Sequence, residues 1–202
     1  MADDEAPAEL RALVDRATAA VRAGFRLFNN LDFDGQNGLT EQGFKASYLV
    51  ALAAIVPADV RIISEARIDA GFVDLLLVKD AHVLVIELKY LRAAFFEGAE
   101  WAGGDAPTVR CAKNRRMNAT LVGKDLDAIG TENYQNPKTR VYEPARNIVD
   151  GGVAQARDYA EIIALRGARE HAGGDLVIDE GAAVDALVIV GAGSTVHYAL
   201  VA

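Results

Sequence analysis

The sequence predicts an α/β protein built on one mixed β-sheet with helices on both faces. Three observations indicate it: helical apolar spacing near the N-terminus, two apolar strands joined by a polar turn in the middle, and a helix followed by two strands at the end. The chain has 202 residues, 51% hydrophobic and 25% charged. This composition excludes a disordered chain, and the length suits one core, so we expect a single domain over residues 1–202.

Two helices are predicted before the first strand. Apolar residues recur at helical spacing from Ala8 to Phe28, with arginines between them. After a turn-rich stretch over 29–38, a second helix is expected to begin at Thr40, a good N-cap residue, and to end before Pro57. Its apolar face carries Phe44, Tyr48, Ala51, Leu52 and Ile55.

The apolar pattern then changes to that of strands. A short strand is predicted over 60–63 and two stronger ones over 72–78 and 83–90, which a polar turn joins. The two stronger strands are almost continuously apolar, so we expect both of their faces to be covered. Residues 92–149 are irregular and are predicted to form a long insertion with one or two short helices.

The last third of the chain predicts a helix and two strands. The helix is expected over Val153 to Arg169, with Gly173 and Gly174 ending it. The strands are expected over 184–190 and 195–201, with the turn at Gly191 to Gly193.

Two carboxylates interrupt the central apolar strands. If the hairpin is symmetric about Asp80 and Ala81, Asp74 lies directly opposite Glu87. Like charges repel each other across a sheet, and burial among apolar residues makes ionisation costlier still. A divalent cation between the two carboxylates would remove both problems, and oxygen ligands suit Mg²⁺ or Mn²⁺.

Lys89 follows Glu87 by two residues and therefore points to the same face of its strand. Its ammonium would lie beside a water molecule activated by the metal. There it would orient that water, help to deprotonate it, or stabilise charge that develops on phosphorus. The alternative is an ordinary ion pair between Glu87 and Lys89 on a half-exposed strand, with Asp74 as its neighbour.

This arrangement resembles the PD-(D/E)XK nuclease superfamily, whose restriction-endonuclease-like core carries an Asp and then Glu-x-Lys on the next strand. Asp74, Glu87 and Lys89 match those positions, and Val73 replaces the Pro of the family's name. The resemblance implies a restriction-endonuclease-like mixed sheet flanked by helices. It covers roughly residues 40–90 and 150–200 and leaves the insertion unexplained.

A second motif is similar to the Q-x-x-x-Y signature of the RecB-like branch of this superfamily. Gln155 and Tyr159 are four residues apart, so they share one face of the predicted helix. The resemblance implies that Gln155 positions the metal, the water or a phosphate, and that Tyr159 supports it. Taken alone, the pair is more typical of a solvated Gln and a core Tyr.

The stretch from Ser64 to Leu77 also resembles nuclease domains found beside AAA-type ATPases. The superfamily frequently adds an acidic residue from the helix before the sheet, and Glu41 is the candidate here. The expected metal ligands are therefore Glu41, Asp74 and Glu87. The alternative for Glu41 is a first-turn residue that complements the helix dipole, and Glu65 is expected at the end of its strand.

The resemblance implies a nuclease that uses Mg²⁺ or Mn²⁺ to hydrolyse phosphodiester bonds, in DNA rather than RNA. The main alternative is a catalytically inactive nuclease-like domain that binds nucleic acid or protein. A weaker alternative is a structural α/β domain in which the motif is coincidental. A second copy of the chain, or an ATPase, is a further candidate partner.

The charge distribution bears on nucleic-acid binding in both directions. A net charge of −8 counts against it. Residues 106–124, however, contain no acidic residue and five basic ones: Arg110, Lys113, Arg115, Arg116 and Lys124. The first four are the expected nucleic-acid contacts, and the alternatives are a solvated loop or a surface for a protein partner.

The expected location is intracellular, in the cytoplasm or the nucleus. The N-terminus is acidic and has no apolar stretch typical of a secretory signal. Cys111 is the single cysteine, so no internal disulfide is expected. No apolar run approaches the ~18 residues that span a membrane, and we expect no membrane partner.

Overall fold

The computed structural model describes residues 5–30, 40–69, 71–99, 104–169 and 177–201. Its helices are α1 (Glu5–Asn30), α2 (Glu41–Ala53), α3 (Pro107–Leu121), α4 (Leu126–Gly130) and α5 (Arg146–Arg166), with a 3₁₀ turn at Ala93–Phe95. Its strands are β1 (Arg61–Ile68), β2 (Gly71–Lys79), β3 (His82–Leu91), β4 (Asn133–Gln135), β5 (Tyr142–Pro144), β6 (Ala168–Arg169), β7 (Val177–Ile178), β8 (Ala183–Ala192) and β9 (Thr195–Leu200).

A five-stranded mixed sheet forms the centre of the described residues, in the order β1-β2-β3-β8-β9. Its neighbours are antiparallel except β3 and β8, which run parallel. The chain between these two parallel strands carries the insertion and α5. The α/β class with one mixed sheet flanked by helices is thereby confirmed.

Apolar side chains pack in two clusters, one on each face of the sheet. Leu75 and Leu77 of β2 join a cluster with α1 and α2, whereas Leu76 and Val78 join a cluster with α5. This alternation follows from the period-2 geometry of a strand. The side chains are fully buried on both faces, which contributes roughly 1.5–3 kcal/mol for each large one. The cores therefore hold α2 and α5 on opposite faces of the central hairpin.

Helix α2 agrees closely with the sequence. The Thr40 side chain accepts a hydrogen bond from the Gly43 N–H at 3.0 Å, which confirms the predicted N-cap. Phe44, Tyr48 and Leu52 are buried, as their spacing predicts.

Helix α5 differs from its prediction at both ends. It begins at Arg146 rather than Val153, because Val149 and Gly152 already face the core in its first turns. Gly151 and Gly152 have low helix propensity and weaken the helical pattern here, so the sequence does not reveal that the helix begins at Arg146. The helix ends at Gly167, whose φ of +66° a side chain would strain, and the predicted stop at 173–174 lies outside the described residues.

The edge strand β1 is longer than predicted. It runs on from 63 to Ile68, since Ala66 and Ile68 are buried and pair with β2. Glu65 therefore lies inside the strand, with a φ of +53°, and its expected position at the strand end was wrong. The turn between β8 and β9 lies at Gly193 and Ser194, later than the sequence indicates.

The insertion contains more regular structure than the sequence predicts. Besides α3 and α4 it holds the small β4–β5 pair, and the start of α5 shortens it to 92–145. Phe96 and Tyr134 are buried in the α5-side cluster, with ring centroids 5.1 Å apart.

Much of the predicted turn-rich stretch, 31–38, lies outside the described residues. Among the described helices, none combines the length and apolar character that crossing a bilayer requires.

Candidate active site

The central hairpin has the register that the sequence predicts. Its Cα partners run from Lys79 and His82 at the turn to Leu75 and Ile86. Asp74 and Glu87 are the next residues on the two strands. Strand β2 stays paired with β1 as far as Gly71, whereas its pairing with β3 ends at Leu75, before Asp74, so β2 and β3 separate here.

Asp74 occupies the point of separation. Its Oδ2 accepts a hydrogen bond from the Leu88 N–H at 2.7 Å, so the side chain takes a main-chain donor of β3. Its Oδ1 binds the ammonium of Lys45. Only 7% of Asp74 is exposed. Two strong partners compensate for burying this carboxylate.

Glu87 is more deeply buried and less well paired. It is 1% exposed; its Oε2 accepts from Lys89 Nζ at 3.3 Å, and its Oε1 has no hydrogen-bond partner among the described residues. Burial, helped by the negative charge of Asp74 and opposed by Lys89, raises the pKa of Glu87 to about 7. An orphaned, buried carboxylate oxygen is costly, and at a functional site it marks a place for a ligand.

Lys89, Gln155 and Tyr159 form one hydrogen-bonded row. Lys89 Nζ donates to Gln155 Oε1 at 3.0 Å, and Gln155 Nε2 donates to the Tyr159 hydroxyl at 3.4 Å. The amide must present its oxygen to Lys89, because an ammonium only donates. Gln155 thus contacts the strand that carries Glu87, and Tyr159 contacts Gln155.

Two glycines make room for this row. A Cβ at Gly152 would lie 3.0 Å from Lys89 Cε, and one at Gly71 would overlap the Tyr159 hydroxyl. Helix α5 therefore approaches β3 closely through Gly152, and Tyr159 rests on the start of β2. Gly71 belongs to the stretch whose sequence resembles ATPase-associated nuclease domains, whereas no sequence pattern indicated Gly152.

Lys45 is the site residue that sequence reasoning missed. It lies on α2, which packs on the face of the sheet opposite α5, and its ammonium binds Asp74 Oδ1. Its ammonium is also 3.7 Å from Glu41 Oε1 and 4.0 Å from Glu65 Oε1. Burial lowers the pKa of Lys45, but the hydrogen bond to Asp74 and the three negative charges outweigh burial and raise it. The sequence signalled only the i,i+4 spacing with Glu41, which is common on helix surfaces.

Glu41 does not join the two buried carboxylates as the expected third ligand. Its side chain is 55% exposed and contacts Lys45. Within the described residues, no group of three or more His, Cys, Asp or Glu side chains is arranged to hold a metal ion. The residues that remain for a cation are Asp74 and Glu87.

The basic cluster is partly neutralised by acidic residues just outside it. Lys113 forms an ion pair with Asp105 at 2.8 Å, Arg110 donates to the Asp105 carbonyl at 3.0 Å, and Lys124 binds Glu132. Arg115 and Arg116 are exposed. Asp105 directly precedes the segment 106–124, which itself contains no acidic residue.

Helix α3, which carries four of the five basic residues, lies at the end of the sheet where the site is. A Cβ at Gly193 would overlap the Asn118 side chain, so α3 packs against the β8–β9 turn. That turn is tied to the end of β3, since the Gly193 N–H donates to the Leu91 carbonyl at 3.0 Å. Leu91 follows Lys89 by two residues.

Comparisons of the chain with protein-family profiles, with curated protein sequences and with solved structures found no match. The resemblance to PD-(D/E)XK nucleases therefore stays an expectation from the sequence motifs. Asp74, Glu87, Lys89, Gln155 and Tyr159 come from separate stretches of the chain, and in the structure they are neighbours.

Proposed function

We propose that this protein is a nuclease that hydrolyses phosphodiester bonds of DNA with Mg²⁺ or Mn²⁺. One observation carries the proposal: two buried carboxylates, Asp74 and Glu87, adjoin at the separation of β2 and β3, with Lys89 beside them. Each acid has a lysine partner, Lys45 for Asp74 and Lys89 for Glu87. Glu87 nevertheless keeps an unpaired, buried Oε1, and the negative charge of Asp74 adds to the cost of ionising it, a cost that a protein retains where function requires it.

The two carboxylates fit a small divalent cation. Glu87 has an orphaned Oε1, and both acids supply the hard oxygen ligands that Mg²⁺ and Mn²⁺ prefer. Asp74 and Glu87 would hold the ion, and water and a substrate phosphate would complete its shell. When bound, the ion would supply a Lewis acid for the phosphate and for the attacking water.

Lys89 is the residue that would act on the substrate. An ammonium has three donors, and the described partners, Glu87 and Gln155, take two of them. One donor is left for a phosphate oxygen or for a water molecule. Because Glu87 and Gln155 fix the side chain, Lys89 meets charge developing on phosphorus without reorganising first.

Substrate binding would use α3 at the same end of the sheet. Arg115 and Arg116 are exposed on this helix, and phosphate contacts from such residues provide sequence-independent affinity. The overall charge of −8 repels a polyanion, so local positive charge near the site is needed.

A second candidate function is a catalytically inactive, nuclease-like binding module. Lys45 favours it, because its ammonium already neutralises Asp74. In that case the buried acids would be satisfied by lysines alone, and the protein would bind nucleic acid or protein without cleaving.

A cleavage assay separates these functions. Single-stranded DNA, double-stranded DNA and RNA are incubated with purified protein in Mn²⁺, Mg²⁺ or EDTA, beside Asp74→Asn and Lys89→Ala. Lys124→Ala serves as a matched control, since Lys124 is also a partly exposed lysine paired with a glutamate. We expect metal-dependent cleavage of DNA that both site variants lose and the control keeps. Cleavage that survives in both site variants would contradict the proposal, and stable binding without cleavage would favour the inactive module.

A further inference from the structure

Lys45 connects the site to the helix on the opposite face of the sheet. Phe44 and Tyr48 bury α2 in the α1-side core, while α5 holds Lys89 from the other side. The ammonium of Lys45 reaches Asp74 through the region where β2 and β3 separate. The site is therefore assembled from both faces.

Both oxygens of Asp74 are engaged in this arrangement. The Leu88 N–H donates to Oδ2, and the Lys45 ammonium donates to Oδ1. The Leu88 donor belongs to the main chain of β3 and is fixed. The Lys45 side chain is long and flexible, so its ammonium is the partner that can leave.

When that ammonium leaves Asp74, two other carboxylates lie close enough to bind it. Glu41 and Glu65 lie 3.7 and 4.0 Å from it, and their side chains are 55% and 63% exposed. A small rotation of the lysine would exchange the buried carboxylate for these exposed ones. Glu65 is directed there from the one irregular position of β1, where its φ is +53°.

Building on the proposed function, we infer that Lys45 is an internal counter-cation that competes with the divalent metal for Asp74. Metal binding displaces its ammonium from Asp74 Oδ1 toward Glu41 and Glu65. Lys45 thus stabilises the site without metal and lowers its affinity for metal.

The charges give the direction of both effects. A cation of charge two and an ammonium on the same carboxylate repel each other strongly at short range in a half-buried site. Removal of the ammonium should tighten Mn²⁺ binding by about tenfold or more. Without metal, the same removal leaves Asp74 buried with the Leu88 N–H alone, which destabilises the protein.

The test is Mn²⁺ titration by calorimetry at pH 8, together with melting temperatures in EDTA. The variants are Lys45→Met, which keeps the length of the side chain, and Lys45→Arg, which keeps the charge. Lys79→Met is the matched control: Lys79 is a partly buried lysine on β2 that binds Glu9 and, at 3.0 Å, Asp59, away from the site. Circular dichroism checks the fold of each variant.

We expect Lys45→Met to bind Mn²⁺ about tenfold more tightly than the wild type and to melt at a lower temperature in EDTA. Lys45→Arg should stay near the wild type, and Lys79→Met should lose stability with no change in Mn²⁺ affinity. If Lys45→Met binds Mn²⁺ no more tightly than the wild type does, the inference is overturned, but the proposed metal site is not. If neither the wild type nor Lys45→Met binds Mn²⁺, the proposed function fails and the inference fails with it.

Discussion

Gln155 accepts a hydrogen bond from Lys89 across 66 residues of sequence, with 3.0 Å between Gln155 Oε1 and Lys89 Nζ. This contact joins α5 to β3 and, with Glu87, gives the ammonium a defined position. It makes Gln155 a positioning residue for Lys89.

Replacing Gln155 should therefore affect chemistry more than metal binding. We expect Gln155→Ala to lower the cleavage rate by roughly 10- to 100-fold, as the loss of outer partners of a site often does. Its Mn²⁺ affinity should stay close to that of the wild type, because Asp74 and Glu87 are untouched. Gln135→Ala, on β4, is the control. Parallel losses of Mn²⁺ affinity and cleavage in Gln155→Ala would show that Gln155 acts on the metal instead.

Adjacent glycines of α5 offer a matched pair of substitutions. A Cβ at Gly151 meets nothing within 4 Å, whereas one at Gly152 lies 3.0 Å from Lys89 Cε and 3.2 Å from Val188 Cγ1. Both changes to Ala gain about 0.8–1 kcal/mol of helix propensity. We expect Gly151→Ala to stabilise the protein and keep activity.

Gly152→Ala should instead push Lys89 out of position and open the contact between α5 and β3. The expected result in urea unfolding is a loss of roughly 1–3 kcal/mol, accompanied by reduced cleavage. Equal stability and equal activity of Gly151→Ala and Gly152→Ala would contradict the close contact between Gly152 and Lys89.

Glu87 should make the metal-free protein less stable as the pH rises. Burial raises its pKa from 4.5 to about 7, so between these values the folded state binds more protons than the unfolded state. The free energy of unfolding should then be highest below about pH 4.5 as far as this group is concerned, and should fall as the pH rises through 7.

Glu87→Gln removes this titration. In EDTA above pH 7 the variant should be more stable than the wild type, by on the order of 2 kcal/mol, and the gap should close toward pH 5. Urea unfolding across this pH range measures it. A gap that is constant with pH would contradict the raised pKa.

Exposed arginines of α3 should contribute to DNA binding through phosphates. We expect the double variant Arg115→Ala, Arg116→Ala to weaken binding and to reduce the slope of log affinity against log salt by about 2. Lys113→Ala should have a smaller effect, because Lys113 is paired with Asp105. Binding is measured by fluorescence anisotropy in the Asp74→Asn background to prevent cleavage. An unchanged slope in the double variant would remove α3 from the interface.

The central hairpin and its carboxylates were predictable because local pattern determines them. The polar turn between two apolar runs set the register, and the register made Asp74 and Glu87 neighbours. Strand alternation then put Lys89 on the side of Glu87. These inferences need only the period of a strand and the length of a turn.

The role of Lys45 and the exposure of Glu41 were not predictable in the same way. Both depend on where α2 crosses the sheet and on the separation of β2 and β3, which no local pattern encodes. Glu65 was misplaced for a related reason. A charged residue looks like a strand end, whereas pairing with β2 carries β1 past it.

The basic cluster in the insertion shows that sequence alone also predicts surface charge incompletely. Five basic residues without an acid between them left three interpretations open: a phosphate-contacting surface, a solvated loop or a surface for a protein partner. In the structure the flanking acids Asp105 and Glu132 bind Lys113 and Lys124, so part of the cluster is neutralised. A charge count within one segment does not include partners that lie outside it.

The proposed function requires that Asp74 and Glu87 together hold one divalent cation. Calorimetric titration of Mn²⁺ into the wild type, Asp74→Asn and Glu87→Gln measures this binding. Glu143→Gln is the control, since Glu143 is a half-buried glutamate held by Asn136 and Asn147 away from the site. We expect one Mn²⁺ site that each single substitution at Asp74 or Glu87 abolishes and the control preserves. Undiminished Mn²⁺ binding by Asp74→Asn and Glu87→Gln would show that these carboxylates do not hold the ion.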